Sequence, residues 1–437
     1  MMDHSESFAP APWWNAFFSR LLLNTCRTIH TNTTHPPLPD VTYTLTRQLH
    51  HKRTTPFPIV HPSTPFPVTK TQHHNHTAAT MASSSSTMRA LVTIENHKAA
   101  VRDDVPKPTP GDGEILVKVH YAAQNPTDWK GVSAAPPGLI VGCDFAGTVA
   151  DANGSSRWRE GQRVAGFVFG NNPTPKRGAF AEYVTIEDSL VFPIPESISF
   201  AEAAVLPLAL ATASQALFQR LGLPEPSKPA KNAFPVLING GTSSVGKYAV
   251  QLCKLAGLFV IATGSKKNHD LLKSLGADAV VDYSDANWPE EVRKLSHDKL
   301  QHAFDCISEK DTTLAVAKAL SPTKGGHILC ILPRKTSELP QELQKGGKVK
   351  VESTIVYTVF GRAIEYGTFD NCSKDDNRPQ DKAHWEKILS ELPAWLESGK
   401  IKPNRVKEAG GLDDVLTGFK LHQEGGVSAE KLVYKIA

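Results

Sequence analysis

The chain has 437 residues, of which 40% are hydrophobic and 21% charged, and it carries a formal net charge of +4. This length allows two or three domains with a large core. No apolar run of about 18 residues occurs, so we expect no membrane-spanning helix. The six cysteines lie far apart and form no CxxC pair, which argues against a disulfide framework and a four-cysteine zinc site and favours a reducing compartment, the cytoplasm.

The first 87 residues differ in composition from the rest of the chain. They hold six Lys or Arg and three Asp or Glu, which leaves 42 basic and 41 acidic residues in 88–437. Such a nearly neutral body predicts no binding of nucleic acid. The first segment is rich in Thr, Ser, Pro and His and shows no sustained period, so we expect it to be disordered and to form no domain.

Three origins of residues 1–87 stay open. Residues 13–27 combine aromatic and Leu side chains with two Arg and no acid, a start typical of a mitochondrial presequence, so mitochondrial import is the alternative to a cytoplasmic location. All four methionines stand at positions 1, 2, 81 and 88, and regular patterning begins at Met88. The second interpretation follows from these positions: translation would start at Met81 or Met88, and residues 1–80 would be upstream sequence included through a mis-assigned start codon. A genuine tail is the third interpretation.

Residues 88–207 predict a compact β-rich domain. Short apolar or alternating runs are separated there by Gly, Pro and Asn, which is typical of strands joined by turns. The predicted strands span residues 88–95, 114–121, 145–150, 163–169 and 181–184.

Farther along the chain, apolar runs alternate with helical periods. The predicted strands are 235–239, 259–263, 279–282, 303–307 and 327–332, and the predicted helices among them are 247–255, 268–275 and 314–320. Alternation at this spacing predicts a parallel, doubly wound sheet of the α/β class.

The first of these strands opens into the turn GGTSSVG (240–246), which precedes a predicted helix. Gly241-x-Ser243-x-x-Gly246 is a dinucleotide fingerprint in which serine replaces the middle glycine. The backbone there must approach a pyrophosphate, and the first N–H groups of the helix, at Ser244 and Val245, would face it. A plain structural turn is the alternative.

The end of the second strand indicates which nicotinamide cofactor is bound. Sites for NAD usually place Asp or Glu there to bind the ribose 2′-hydroxyl, whereas residues 261–265 hold no carboxylate. The residues found there instead are Ser265, Lys266, Lys267 and Asn268. Because a hydroxyl and two ammonium groups suit a 2′-phosphate, the sequence predicts NADPH. A solvated pair of lysines on a loop is the alternative.

Five motifs together resemble the medium-chain dehydrogenase/reductase superfamily. They are NPTDWK (125–130), GCDFAGTV (142–149), GGTSSVG (240–246), LGADAVVDY (275–283) and EKLVYKI (430–436). The combination covers residues 88–437 and is similar to the zinc-free quinone-oxidoreductase branch. The stretch 353–362, with its TVFG, makes it most similar to the fungal trans-acting enoyl reductases of polyketide biosynthesis.

This resemblance implies two domains. Residues 88–207 and 353–437 would form a GroES-like catalytic domain, and residues 208–352 would form a Rossmann domain. The active site would lie in the cleft between them.

The resemblance also implies roles for individual residues. Lys130 and Thr212 would line the nicotinamide end and donate to a substrate carbonyl or to the cofactor amide. The alternatives are a phosphate or surface contact for Lys130 and an intrahelical hydrogen bond for Thr212. The other residues implied to contact the cofactor are Thr127, Tyr283, Ile331 and Leu332.

No metal is expected. Zinc-dependent relatives carry Cys where this chain has Asn125, and a His-Glu pair where it has Cys143 and Asp144. One cysteine cannot supply the three protein ligands that a catalytic zinc needs. Without a metal to acidify an alcohol, the expected reaction is hydride transfer to the β-carbon of an enone, enoyl thioester or quinone.

The resemblance therefore implies an NADPH-dependent enoyl reductase of secondary metabolism. It would act in trans on an acyl chain held by a polyketide synthase carrier, as a monomer or homodimer without a membrane partner. A stand-alone NADPH:quinone or enone oxidoreductase would use the same site and is the alternative. A cofactor-binding protein that has lost catalysis is a third hypothesis.

Overall fold

The computed structural model describes residues 86–362, 364 and 378–437. Residues 1–85, on which the leader, presequence and start-codon predictions depend, lie outside the described part of the chain. The described residues all belong to one structural unit that begins at Ser85.

The β-rich part of the fold comes from both ends of this unit. Its strands are β1 (Thr87–Ile94), β2 (Lys98–Pro106), β3 (Glu114–Ala123), β4 (Asp144–Asp151), β5 (Arg163–Phe167), β6 (Asn172–Pro173), β7 (Lys176–Arg177), β8 (Tyr183–Glu187), β9 (Val191–Pro193), β16 (Val406–Gly411) and β17 (Lys431–Lys435). The main sheet has the order β16-β17-β3-β4-β5-β9, and β8 also pairs with β3. β3 is largely buried because β4, β8 and β17 all pair with it.

The last strand of the chain completes this sheet by lying between β16 and β3. β17 pairs antiparallel with β3 and parallel with β16, so residues after 405 complete a sheet begun more than 280 positions earlier. This joining of distant segments matches what the resemblance implied. The boundaries at 207/208 and 352/353 stay predictions.

A six-stranded parallel sheet forms the second part. Its strands are β10 (Pro235–Asn239), β11 (Phe259–Thr263), β12 (Ala279–Val281), β13 (His302–Asp305), β14 (Gly326–Cys330) and β15 (Val349–Ser353). They lie in the order β12-β11-β10-β13-β14-β15, and every adjacent pair is parallel. The predicted fold class, a Rossmann sheet beside a GroES-like β domain, is confirmed.

Helices lie between and beside the strands. They are α1 (Pro126–Val132), α2 (Phe200–Ala204), α3 (Pro207–Ser214), α4 (Ser244–Leu255), α5 (His269–Ser274), α6 (Trp288–Leu295), α7 (Lys310–Ala319), α8 (Gln341–Gln344), α9 (Pro379–Glu397) and α10 (Val415–Gln423). The helix α4 shows how the sequence sets such boundaries. The Ser243 side chain caps its first turn, and Gly257, with a φ of 74°, follows its end.

Among the residues that the structure describes, one span has the length and hydropathy of a membrane-crossing helix. Phe200–Arg220 covers 21 residues with a hydropathy of 1.4, but 89% of its apolar window is buried inside the protein. It contains α2, α3 and the π-helical stretch Gln215–Arg220. Burial of this kind is what the central helix of a globular core requires.

Candidate functional site

The loop between β10 and α4 brings the predicted fingerprint residues together. A Cβ on Gly246 would lie 2.2 Å from the carbonyl oxygen of Gly240, so only glycine lets the helix pack this closely on the loop. The Ser243 hydroxyl accepts a hydrogen bond from the Gly246 N–H at 2.9 Å. Gly241 lies within the same loop, and Ser244 and Val245 begin the helix. This cradle at a helix N-terminus fits the pyrophosphate of a dinucleotide.

Buried polar side chains tie the carboxyl ends of three strands to this loop. The Thr263 hydroxyl, at the end of β11, donates to Asn239 Oδ1 at 2.7 Å and accepts from the Gly240 N–H at 2.9 Å. Asn239 Nδ2 in turn donates to Asp305 Oδ1 at 2.8 Å. These residues were not predicted from the sequence, although each stands at or near the end of a predicted strand.

The four residues predicted to bind the 2′-phosphate lie together after β11. Asn268 Nδ2 donates to Ser265 Oγ at 3.1 Å, and Lys266 and Lys267 are exposed. Tyr283, after β12, is 54% exposed. An anion could therefore reach both ammonium groups from solvent. Residues 264–268 contain no carboxylate, and the Asp282 carboxylate lies at the Lys266 backbone N–H.

The backbone of Ile331 and Leu332 follows the end of β14. The Ile331 N–H donates to Ser308 Oγ at 2.8 Å, and the Leu332 carbonyl accepts from Ser353 Oγ at 2.8 Å. These bonds fix the segment at the carboxyl edge of the sheet, where a Rossmann domain binds its ligand. The predicted contact with the nicotinamide stays a prediction.

Helix α1 carries Thr127 and Lys130. Thr127 Oγ1 is hydrogen-bonded to the Tyr357 hydroxyl at 3.0 Å. The Tyr357 ring stacks on Phe169, with ring centroids 3.7 Å apart and an interplanar angle of 13°. Tyr357 is a polar residue at this site that was not predicted from the sequence, although it lies inside the stretch 353–362 that resembles the trans-acting enoyl reductases.

A buried network holds the segment that contains Tyr357. Gln215 Nε2 donates to Thr358 Oγ1 at 2.8 Å, and Thr358 Oγ1 donates to Asp381 Oδ2 at 2.5 Å. Arg220 pairs with Asp381, with Nη1 2.8 Å from Oδ1. The turn Val356–Phe360 is thereby fixed between the π-helical stretch and α9.

Lys130 is a partly buried lysine at the site. Burial lowers the pKa of its ammonium, and the nearby Glu309 opposes that effect. Glu309 immediately precedes α7 of the Rossmann part, so Lys130 faces across the two parts of the fold. Such a position favours contact with a ligand in the cleft over a simple surface contact.

Thr212 lies in α3 and makes the intrahelical bond that was the alternative to a catalytic role. Its hydroxyl donates to the Leu208 carbonyl at 2.8 Å. While that bond is made, the hydroxyl oxygen can accept from a cofactor amide but has no proton for a substrate carbonyl.

The positions at which zinc-dependent relatives carry ligands hold an internal ion pair. Lys431 Nζ lies 2.6 Å from Asp144 Oδ2 and 3.0 Å from Asn125 Oδ1. Asn125 Nδ2 donates to Asp144 at 2.9 Å, and the Leu208 N–H donates to its other oxygen at 2.7 Å. Burial raises the pKa of the Cys143 thiol well above its usual range, with Asp128 adding to the effect. Because the Asp144 carboxylate and the Asn125 amide oxygen are already bound to Lys431 and the Cys143 thiol stays protonated, the residues present do not fit a catalytic zinc.

Comparison with known proteins identifies the family of this chain. The family models of the alcohol dehydrogenase GroES-like domain and of the zinc-binding dehydrogenases match residues 111–196 and 244–369. The trans-enoyl reductase ACTTS2 of Alternaria alternata is 37% identical, over 80% of this chain and 99% of its own length. A zinc-type alcohol dehydrogenase-like protein of Schizosaccharomyces pombe is 38% identical, over 80% of this chain and all of its own.

A solved structure supports the fold. The CurK enoyl reductase superposes with a TM-score of 0.63, at 20% identity, over 80% of this chain and 99% of its own. The chain belongs to the medium-chain dehydrogenase/reductase family, and it is an oxidoreductase whose Rossmann domain takes a nicotinamide cofactor.

Proposed function

We propose that this protein is an NADPH-dependent enoyl reductase that acts in trans on an acyl chain held by a polyketide synthase carrier. The observation that carries the proposal is the Asp144–Lys431 ion pair. It occupies the carboxylate that stands at a position where zinc-dependent relatives carry a metal ligand. Reduction of a conjugated double bond needs no metal to acidify an alcohol. The relatives named trans-enoyl reductases support the same reaction.

The residues of this chain would stabilise the charge that the reaction creates. The bound cofactor supplies a hydride for the acceptor's β-carbon, and a proton must reach the α-carbon. Hydride addition places negative charge on the thioester carbonyl oxygen before the α-carbon takes up its proton, and a hydrogen-bond donor to that oxygen contributes on the order of 10²–10³ in rate. Lys130 is the donor we assign to this oxygen, because its partly buried ammonium is less hydrated than a surface lysine.

Turnover with matched acceptors tests the reaction. The purified full chain is incubated with NADPH in three parallel assays. The acceptors are a crotonyl thioester on a carrier protein, crotonyl-pantetheine and a simple quinone. We expect the carrier-bound thioester to give the highest kcat/KM, and Lys130→Met to lower kcat by about 10²-fold or more. Lys400→Met, at an exposed position, is the control. Turnover of quinones alone would support the stand-alone oxidoreductase, and cofactor binding without turnover would support a non-catalytic protein.

We also propose NADPH over NADH as the cofactor, on the basis of Ser265, Lys266 and Lys267. The double variant Lys266→Met/Lys267→Met should lose most of the preference, because two ammonium groups that face a phosphate are removed. Lys273→Met, an exposed lysine of α5, is the control. Equal kcat/KM for NADPH and NADH in the wild-type chain would overturn this assignment.

The remaining expectations are a cytoplasmic location and a monomer or homodimer that binds no membrane and no nucleic acid. Light scattering on the purified chain measures the oligomeric state. Imaging of the tagged full chain distinguishes the cytoplasm from mitochondria.

A further inference from the structure

A row of nearly parallel aromatic rings begins at the site and follows the turn Val356–Phe360. The Tyr357 hydroxyl is bonded to Thr127, and the Tyr357 ring stacks on Phe169. The Phe360 ring is nearly parallel to that of Tyr357, at an interplanar angle of 10° and with ring centroids 6.4 Å apart. The row therefore extends from Thr127, one helical turn from Lys130, to the last residue of this turn.

Arg362 stands at the end of this row. Its guanidinium carbon Cζ lies 5.4 Å from the Phe360 ring centroid, which is the distance of a cation–π contact. Gly361, with a φ of 62°, separates the two residues, and its N–H donates to the Thr358 carbonyl at 3.0 Å. A Cβ at Gly361 would lie 2.8 Å from the Lys382 side chain. The guanidinium is thus held one aromatic ring away from Tyr357, on a backbone that the turn fixes.

The charges around Arg362 do not balance. Burial lowers the pKa of its guanidinium, Arg177 lowers it further, and the Glu187 and Glu114 carboxylates oppose this shift. The Glu114 carboxylate is already paired with Arg177. The Glu187 carboxylate is already paired with Lys382. Among the described residues, Arg362 therefore has no carboxylate of its own, and a partly buried cation in that position attracts an anion.

The chemistry of the expected substrate offers an anion at such a distance. An acyl chain on a phosphopantetheine arm has its thioester at one end of the arm and a phosphate at the other. A ligand whose carbonyl oxygen is bound by Lys130 therefore has its phosphate set back from the reacting atoms. A guanidinium binds phosphate through two parallel hydrogen bonds, and it keeps its charge at neutral pH.

We propose that Arg362 binds the phosphate of the 4′-phosphopantetheine arm that carries the acyl chain. This inference rests on the proposed function and deepens it, because it names the part of the carrier that the protein binds. The arm occurs as a phosphodiester on acyl carrier proteins and as part of a diphosphate in coenzyme A. Both sources present the same phosphate oxygens to a guanidinium.

Two substrates that differ only in this phosphate test the proposal. The full chain is incubated with NADPH and either crotonyl-4′-phosphopantetheine or crotonyl-pantetheine. We expect kcat/KM to be about 10-fold higher for the phosphorylated thioester, through a lower KM. Arg362→Met should remove this difference and leave the kcat/KM for crotonyl-pantetheine unchanged. Arg362→Lys should keep part of the difference, because it retains the charge but not the two parallel bonds.

The control is Arg159→Met, which removes an exposed arginine from the turn between β4 and β5. It should preserve the full difference between the two thioesters. Equal wild-type kcat/KM for both thioesters would overturn the proposal. An Arg362→Met variant that loses activity equally on both would also overturn it, because Arg362 would then be a structural residue.

Calorimetric titration gives a readout that needs no turnover. We expect 4′-phosphopantetheine to bind more tightly than pantetheine, and Arg362→Met to raise its Kd about 10-fold with the Kd of NADPH unchanged. Equal Kd values for the two ligands would contradict the phosphate site. A chain that binds the phosphorylated arm through Arg362 but reduces neither thioester would contradict the proposed function and leave the phosphate site in place.

Two natural forms of the arm identify its source. The acceptors are crotonyl-coenzyme A and a crotonyl thioester on a carrier protein. A higher KM of Arg362→Met for the carrier-bound thioester assigns the site to a carrier protein. A higher KM for the coenzyme A thioester alone assigns it to coenzyme A, and an unchanged KM for both would overturn the proposal.

Discussion

Asp128 is a fully buried carboxyl next to the Asp144–Lys431 pair. Its Oδ2 accepts from the Asn125 N–H at 2.7 Å, and the Cys143 thiol lies against the same carboxyl. Burial raises the pKa of Asp128 to about 7, with the Asn125 bond opposing and Asp144 adding to the shift. The protein therefore holds a neutral carboxyl at acidic pH and an ionised, poorly solvated one at alkaline pH.

This predicts that Asp128 destabilises the fold as pH rises. Between pH 4 and 7 the unfolded chain, with an Asp pKa of about 3.9, has lost the proton that the folded chain keeps, so stability falls through that window by on the order of 4 kcal/mol. Asp128→Asn cannot ionise and keeps an acceptor for Asn125. We expect it to be more stable than the wild type at pH 8, with a smaller difference at pH 5.

Urea unfolding at the two pH values measures this difference. Asp112→Asn, at an exposed turn position, is the control and should show no such pH dependence. If the Asp128→Asn difference were the same at pH 5 and pH 8, the Asp128 carboxyl would not be the titrating group.

Site residues could be predicted from the sequence where the residues that act together are neighbours in the chain. The fingerprint was recognisable because its chemistry lies in seven consecutive residues, 240–246. Tyr357 is 230 positions from Thr127, and Lys431 is 287 positions from Asp144. Only the fold brings these pairs together, so local patterns could not reveal them.

At the scale of elements, strands and helices were predicted correctly where a segment showed a single clear hydrophobic pattern. The strands 235–239 and 259–263 were predicted to the residue, because short apolar runs buried on both faces have clear ends. The helix α2 was missed, and α3 was anticipated only through the intrahelical alternative for Thr212, because residues 200–214 are apolar on nearly every side and show no helical period. β2 was missed because, among the described strands, it pairs with β1 alone and exposes its charged residues.

The packing of α4 on its loop gives a prediction about this element. In Gly246→Ala the added methyl must displace the Gly240 carbonyl, so the loop and the helix move apart. We expect a loss of about 1–3 kcal/mol in the free energy of unfolding, as for other overpacked sites, and cofactor affinity at least about 10-fold weaker. Cofactor titration and urea unfolding measure the two effects.

A matched glycine provides the control. In Gly111→Ala the new Cβ would lie 3.5 Å from the flexible Glu114 carboxylate, and both stability and cofactor affinity should stay unchanged. Normal cofactor affinity in Gly246→Ala would show that this turn does not shape the binding site.

At the scale of the whole molecule, one hydrophobic cluster extends across both parts of the fold, while a second lies within the Rossmann part alone. Phe145 of the antiparallel sheet, Tyr248 of α4 and Trp385 of α9 belong to the same buried cluster. The Tyr248 hydroxyl donates to the Val205 carbonyl at 3.2 Å and accepts from the Asn404 N–H at 3.0 Å, which links three distant segments. Domains of a larger protein often unfold separately, but a shared core of this kind opposes that.

We therefore predict one cooperative unfolding transition for residues 86–437 within the full chain. NADPH at about 100 times its Kd should shift the whole transition upward, because binding only to the folded state adds about 2.7 kcal/mol. Calorimetry with near-ultraviolet circular dichroism measures both points, and Gly246→Ala should show a smaller shift at the same NADPH concentration. Two transitions, only one of which responds to NADPH, would mean that the Rossmann part unfolds independently and that the shared core does not couple the two parts.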